Sequence, residues 1–256
     1  MQVKHRRERG QLLAEGPQAV REALGEGVVA HVFVEPDAAD RRGPELQEAR
    51  DRGVAVHLVE GSALATLTTA QTPQGIVAVC HWEPVALDDL LADLDLNDGA
   101  AQLVLAHEMS DPGNAGALIR VADAAGARGV LLSAASVDPS NAKCVRASAG
   151  SLFHLPVAAA GETLAALSHL RRAGWRTLAA DVTDESLDLF AAEREGLLAG
   201  RVVWVFGNEA HGLPDAVLAE VDGVVRIPIL GRAESLNLAT AAAICLYAYA
   251  RVATTP

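Results

Sequence analysis

Three short stretches of this chain combine residues that can hold an anion, polarise a hydroxyl or let the backbone approach a ligand. The first contains Asn114 and Arg120 within HEMSDPGNAGALIRVADAAGARG (107–129). Asp111-Pro112-Gly113 reads as a turn and Asn114 as the N-cap of the helix that follows. Leu118, Val121, Ala122 and Ala125 make an apolar stripe on that helix. Arg120 lies roughly 200° around from Leu118 at about 3.6 residues per turn, so it points away from the stripe. A guanidinium so placed is either an ordinary surface group or the partner of a phosphate or carboxylate. The second stretch is GNEAHGLP (207–214). Its glycines permit close backbone approach to a ligand, although the same residues suit a plain strand–helix connection. It is not a dinucleotide fingerprint, because GxGxxG is absent. The third is IPILGRAESLNLATAAAI (227–244). Ile227-Pro228-Ile229 ends a strand, Gly231 turns the chain, and Ser235 or Glu234 caps a helix that is apolar on nearly every side. Ser235 and Asn237 then fall in the first turn, beside free backbone N–H groups. Taken alone, Ser235 reads as a simple cap.

Each stretch follows a buried strand. QLVLA (102–106), GVLLS (129–133), RTLAAD (176–181), RVVWVF (201–206) and VVRIPI (224–229) are continuous apolar runs, mostly separated by helical patterns. Such alternation predicts a parallel sheet covered on both faces, with ligands beyond the carboxyl ends of its strands. Upstream lies a smaller α/β pattern. Pro17 to Leu24 and 43–53 read as helices, and 28–34, 54–59 and 75–80 as strands.

Composition narrows the function classes. Half of the 256 residues are hydrophobic, which excludes disorder of the whole chain. A net charge of −12 argues, taken globally, against a nucleic-acid binder. The charge is uneven, however. Residues 83–98 carry six acids and no base, half of the excess. That stretch reads as an acidic linker with at most a turn or two of helix, or as a solvated helix face inside a single domain. Residues 1–82 and 99–256 are then two mildly acidic domains. The first nine residues form a basic arm with Lys4, Arg6, Arg7 and Arg9. Cys80, Cys144 and Cys245 lie far apart, so neither a disulfide framework nor a structural zinc site is expected. The eight histidines are scattered without ligand spacing, and no metal is expected. Without a secretory signal or an apolar run long enough for a bilayer, the expectation is a cytoplasmic protein.

The three stretches together resemble the SpoU (TrmH-like) branch of the SPOUT RNA methyltransferases. Its first motif is an Asn followed six positions later by an Arg, here Asn114 and Arg120. Its second is GNExxGL, here Gly207 to Leu213. Its third is an IPM-like segment followed by SLN, here Ile227-Pro228-Ile229 and Ser235-Leu236-Asn237, with Ile229 where Met is common. The match covers roughly residues 101–251. EGPQAVREAL (15–24) and TPQGIVAV (72–79) look, more loosely, like the L30e-like substrate-binding domain of rRNA-modifying members. Tyr and Phe are scarce there, so base stacking is not an evident mode of RNA contact.

The resemblance implies an α/β-knot fold, a mostly parallel sheet with a deep trefoil knot, and a homodimer. It implies transfer of a methyl group from S-adenosylmethionine to a ribose 2′-hydroxyl. The N-terminal domain favours rRNA over tRNA. A tRNA methyltransferase, a resistance methylase and a catalytically silent RNA-binding or assembly factor stay open as alternatives. By the same resemblance Arg120, Asn114, Glu209, Ser235 and Asn237 are the catalytic set. Gly207, Ile227, Ile229, Leu236 and Gly231 hold the cofactor. No membrane or DNA partner is expected. A guanidinium with a pKa above about 12 is no ordinary base. Arg120 is therefore expected to grip phosphate and stabilise the developing alkoxide.

Overall fold

The computed structural model describes residues 9–68, 72–94 and 99–254. Lys4, Arg6 and Arg7 of the basic arm, and Asp95 and Asp98, lie outside them. The chain divides into two compact units.

The first unit comprises residues 1–83 and 138–154. Its sheet has the order β1 (Gln11–Glu15), β4 (Ile76–His81), β2 (Val29–Val34), β3 (Ala55–Leu58). β4 runs antiparallel to both β1 and β2, and β2 is parallel to β3. The Pro17–Gly25 helix starts on a proline and buries Ala19, Val20, Ala23 and Leu24, as its spacing predicts. β1 was not foreseen. Segment 138–154 was expected within the second domain, yet it groups with the first unit. Its Ala142–Ser148 helix packs on β1, and Arg146 pairs with buried Glu15 at 2.8 Å. A buried carboxylate without a cationic or hydrogen-bonding partner would be costly, which ties this segment down.

The second unit holds an eight-stranded sheet, every registered pair parallel. The strands are β5 (Val85–Ala86), β6 (Ala101–Ala106), β7 (Val130–Ser133), β8 (Val157–Gly161), β9 (Arg176–Ala180), β10 (Leu187–Asp188), β11 (Arg201–Phe206) and β12 (Gly223–Arg226). Their order is β10-β12-β9-β11-β6-β7-β8-β5. β6, β7 and β11 are buried almost end to end, because helices cover both faces. One face packs Leu103, Leu105, Val203 and Val205 against Leu167 and Leu170 of the Thr163–Arg172 helix. The Pro112–Ala124 and Leu238–Thr254 helices pack on each other, and the latter also packs on β6, β9 and β11. The strand expected over 224–229 ends at Arg226, since Pro228 has no N–H to offer a ladder.

The acidic stretch is not a linker where it is described. Val85–Ala86 pairs with β8 as an edge strand, and Leu87–Asp93 is a helix with Asp88 and Asp89 in its first turn. Carboxylates there complement the helix dipole. Leu90 is 3% exposed in the main core, with Leu87, Leu91 and Leu94 packed against it. The short helix agrees with the turn or two allowed for this stretch; what its acids hide in the sequence is the apolar side that enters the core.

Among the described residues no helix is long and apolar enough to cross a membrane. All three cysteines are buried, and burial pushes each thiol up to about 12, which leaves them inert as nucleophiles. Leu90→Ala should lower stability by about 2–4 kcal/mol, the range for truncating a core leucine. Urea unfolding checks this; a linker residue would leave the midpoint unchanged.

Candidate active site

The site follows from strand order. From β6 the chain moves outward through β7 and β8, then returns across the sheet to β9, and β11 enters between β9 and β6. The direction of winding therefore reverses between β6 and β11, where an open parallel sheet splays its loops to form a crevice. Phe206 is in register with Ala106, and His107 N–H donates to the Phe206 carbonyl at 2.8 Å. The loops after β6 and β11 thus leave the sheet side by side.

Glu209 joins them. Its carboxylate accepts from Ser110 N–H at 3.3 Å, Ser110 Oγ at 3.1 Å, Asp111 N–H at 3.3 Å and Asn114 Nδ2 at 3.2 Å. Partial burial alone would raise its pKa, but these hydrogen bonds hold the carboxyl below its ordinary value. Asn114 Oδ1 in turn accepts from Asn237 Nδ2 at 3.1 Å. Asn237 Oδ1 accepts from Ala239 N–H at 3.0 Å and caps the Leu238–Thr254 helix. One chain of side chains, Glu209–Asn114–Asn237, connects all three motif loops.

Two expected caps are corrected. Asp111, not Asn114, caps the Pro112–Ala124 helix, its Oδ1 accepting from Asn114 N–H at 2.9 Å. Pro112 takes the first helical position, which fixes the start two residues ahead of Asn114 and frees the Asn114 amide to bridge. Likewise Asn237, not Ser235 or Glu234, caps the final helix. Ser235 and Glu234 are exposed and precede its first turn.

The GNE loop is closed on itself. Asn208 and Gly212 exchange backbone hydrogen bonds at 3.0 and 2.9 Å, with Gly212 at φ 66°. A Cβ at Gly207 would lie 2.3 Å from the Gly212 carbonyl carbon, so only glycine permits this crossing. Asn208 Nδ2 donates to the Glu108 carbonyl at 2.6 Å. Glu108 sits at φ 48°, a region seldom occupied by non-glycine residues and common at functional sites. Asp181, after β9, accepts from Leu213 N–H at 3.2 Å. Asp181 was not foreseen; its position at the carboxyl end of a sheet strand was the available signal.

These loops enclose a cavity of 510 Å³, a size typical of small-molecule sites, about 300–1,000 Å³. Of the expected residues, Gly207, Ile227, Ile229 and Leu236 line it, together with Asn114, Glu209, Ser235 and Asn237. Asp181 and Arg226 also face it. Gly231 is exposed and is not part of the lining. Arg120 is also outside it: the side chain is exposed on the Pro112–Ala124 helix, about 9 Å along the axis from Asn114 at 1.5 Å per residue. The stripe beneath it is Ala115, Leu118, Ile119 and Ala122, with Val121 half-buried. His211 is exposed, its Nδ1 3.3 Å from Asn208 Oδ1.

Comparison with known proteins agrees with this geometry. The SpoU rRNA Methylase family model matches residues 101–247, and the model for RNA 2'-O ribose methyltransferase substrate binding matches residues 13–84. The chain is 31% identical over 245 residues to the 23S rRNA (guanosine(2553)-2'-O)-methyltransferase RlmP of Bacillus subtilis, covering 95% of this chain and 90% of that protein. It is 30% identical to the 23S rRNA (guanosine-2'-O-)-methyltransferase RlmB of Bordetella pertussis, covering 92% and 90%. The AdoMet-bound rRNA methyltransferase from Sinorhizobium meliloti has the same fold with a TM-score of 0.78 at 31% identity, covering 98% of this chain and 90% of that one. With its motif loops assembled around one cavity and both of its segments matched, the chain belongs to the SpoU rRNA methylase family.

Proposed function

We propose that this protein transfers a methyl group from S-adenosylmethionine to a ribose 2′-hydroxyl of rRNA. The observation that carries the reading is the 510 Å³ cavity bounded by all three motif loops and joined by Glu209, Asn114 and Asn237. Its residues fit the cofactor. The glycine-only crossing at Gly207 opens backbone to the cavity, and Ile229, Leu236 and Val225 offer apolar walls. Gly207, Ile227 and Leu236 would hold the cofactor through backbone groups. When bound, it supplies an electrophilic methyl group on a sulfonium.

The remaining chemistry belongs to the chain. A ribose hydroxyl is a weak nucleophile and must lose its proton as it attacks in line. Ser235 and Asn237, at the cavity wall, orient it. Asn114 and Glu209 keep the first-motif helix start in place. Arg120 grips an RNA phosphate and stabilises the developing alkoxide. Its side chain has no hydrogen-bond or ion-pair partner among the described residues, as a group reserved for RNA or a second subunit requires. The reading includes a homodimer and the family's trefoil knot. rRNA is favoured over tRNA because the first unit matches a substrate-binding family and the relatives named above act on rRNA.

Calorimetry should detect S-adenosylmethionine binding without RNA; no binding at millimolar cofactor would overturn the reading. Arg120→Ala should lower methyl transfer about 10²–10³-fold, as losing a transition-state donor does, while leaving cofactor affinity within about twofold. Near-normal turnover would remove Arg120 from the catalytic set. Gly207→Ala should weaken cofactor binding by about tenfold or more, 1.4 kcal/mol, with an unchanged circular dichroism spectrum.

Glu209→Gln should be less stable than the parent. The folded carboxyl titrates below its unfolded value of about 4.3. Its contribution is therefore complete above that pH and is lost as pH falls through the folded value. Urea titrations should show a constant difference between the two proteins from about pH 8 to pH 5, shrinking under more acidic conditions. A pH-independent difference would remove the charge from this account.

A further inference from the structure

One face of the first unit's sheet carries a feature that the methyl-transfer chemistry does not use. Side chains alternate along strands, and the register places His31 beside Ala55 and Val79, and Phe33 beside His57 and Val77. His81, opposite Gln11, points to the same side. The three histidines are exposed and Phe33 is half-buried. The Phe33 and His57 rings stack, with centroids 5.1 Å apart and planes 22° from parallel. The His31 ring lies 5.3 Å from His57, and His57 Nε2 is 3.2 Å from His31 Nδ1.

The core accounts for Phe33 in part and for the histidines not at all: the opposite face buries Leu12, Ala14, Val32, Val34, Ala78 and Cys80, whereas His31, His57 and His81 are exposed. On the ring side, Leu13 and Val77 are packed with Leu64, and Phe33 and Val79 rest against that cluster. Among the described residues no group of three His, Cys, Asp or Glu side chains is placed to hold an ion.

Flat π-surfaces with N–H edges fit unpaired nucleobases. Bases splayed from single strands stack on Phe and His rings, and imidazole edges hydrogen-bond to bases and phosphates. The strand positions sharing this face are uncharged apart from Glu15, which is buried against Arg146 at 2.8 Å. An RNA backbone crossing the rings therefore meets no open carboxylate from the strands. The platform also lies within residues 13–84, the segment matched by the RNA substrate-binding family.

We propose that Phe33, His57 and His31 form a stacking platform for unpaired bases of the RNA substrate, with His81 at its margin; the proposal rests on the RNA methyltransferase reading above. Stacked aromatics in place of a basic patch let a mildly acidic unit bind RNA.

The test is fluorescence anisotropy on the full chain with a labelled single-stranded RNA of about ten nucleotides and a duplex of the same length. The parent should bind the single strand more tightly. Phe33→Ala with His57→Ala should lose about tenfold or more, the size expected from 1–3 kcal/mol of stacking per base. Because Phe33 is partly packed, His31→Ala with His57→Ala, at two exposed positions, is measured as well and should also weaken binding. His57→Tyr, which keeps a ring, should retain it. Undiminished affinity in both double variants would overturn the proposal, as would an equal loss in His57→Tyr. Sedimentation showing that these variants change the oligomeric state instead would assign the face to a second copy, and so would also overturn it. S-adenosylmethionine calorimetry on the same proteins separates the two ideas: its failure in the parent removes the methyltransferase reading, whereas unchanged cofactor binding with unchanged RNA affinity removes the platform alone.

Discussion

Glu209 is a single carboxylate that accepts four hydrogen bonds from the loop after β6 and the helix that follows it. Much of the second unit's geometry converges on that point. The carboxylate can reach Ser110, Asp111 and Asn114 only because β11 lies directly beside β6 with Phe206 opposite Ala106. Asn114 can pass the connection to Asn237 only because Asp111, three residues earlier, takes over the capping of its helix. A charged acceptor holding several donors is stronger than a neutral one, and here it joins segments roughly a hundred residues apart in sequence. The Gly207–Gly212 crossing makes the same loop tight enough to leave a cavity behind it.

The distribution of acid is a second consequence of topology. Asp88 and Asp89 belong to a helix following the edge strand β5, while the cavity opens among β6, β9, β11 and β12 on the other side of β7 and β8. These carboxylates are therefore kept at one margin of the sheet, and charges separated by more than about 8–10 Å are largely screened at physiological salt. The acids of that margin therefore add little to the field near the cavity, whose own lining holds Asp181, Glu209 and Glu234 beside Arg226.

Sequence alone made some features legible through strong local signals. The buried runs 102–106, 129–133, 176–181 and 201–206 coincide with strands to within one residue at either end, because short apolar runs bounded by turn signals have few other uses in a chain of this kind. Eight of the ten proposed site residues line the cavity, since motif residues placed directly after such strands fall at the carboxyl edge whatever the details of packing. The weaker signals did not suffice. β5 and β10 have two residues each, too short for any periodicity, and the aspartates of the short helix after β5 make it read as part of a linker although its Leu90 belongs to the core.

The sequence by itself determined a parallel sheet, the edge at which its ligands gather and the polar residues available there, because strand patterning and turn chemistry are local. Tertiary structure decided which of these residues meet. The capping of the first-motif helix by Asp111, the position of Arg120 outside the cavity and the inclusion of 138–154 in the first unit depend on strand order and on long-range partners. So does the gathering of His31, His57 and Phe33 on one sheet face. Residues 31 and 57 are 26 positions apart, and only the parallel pairing of β2 with β3 brings their rings within hydrogen-bonding distance. A one-residue slip of that register would have turned one of them to the other face.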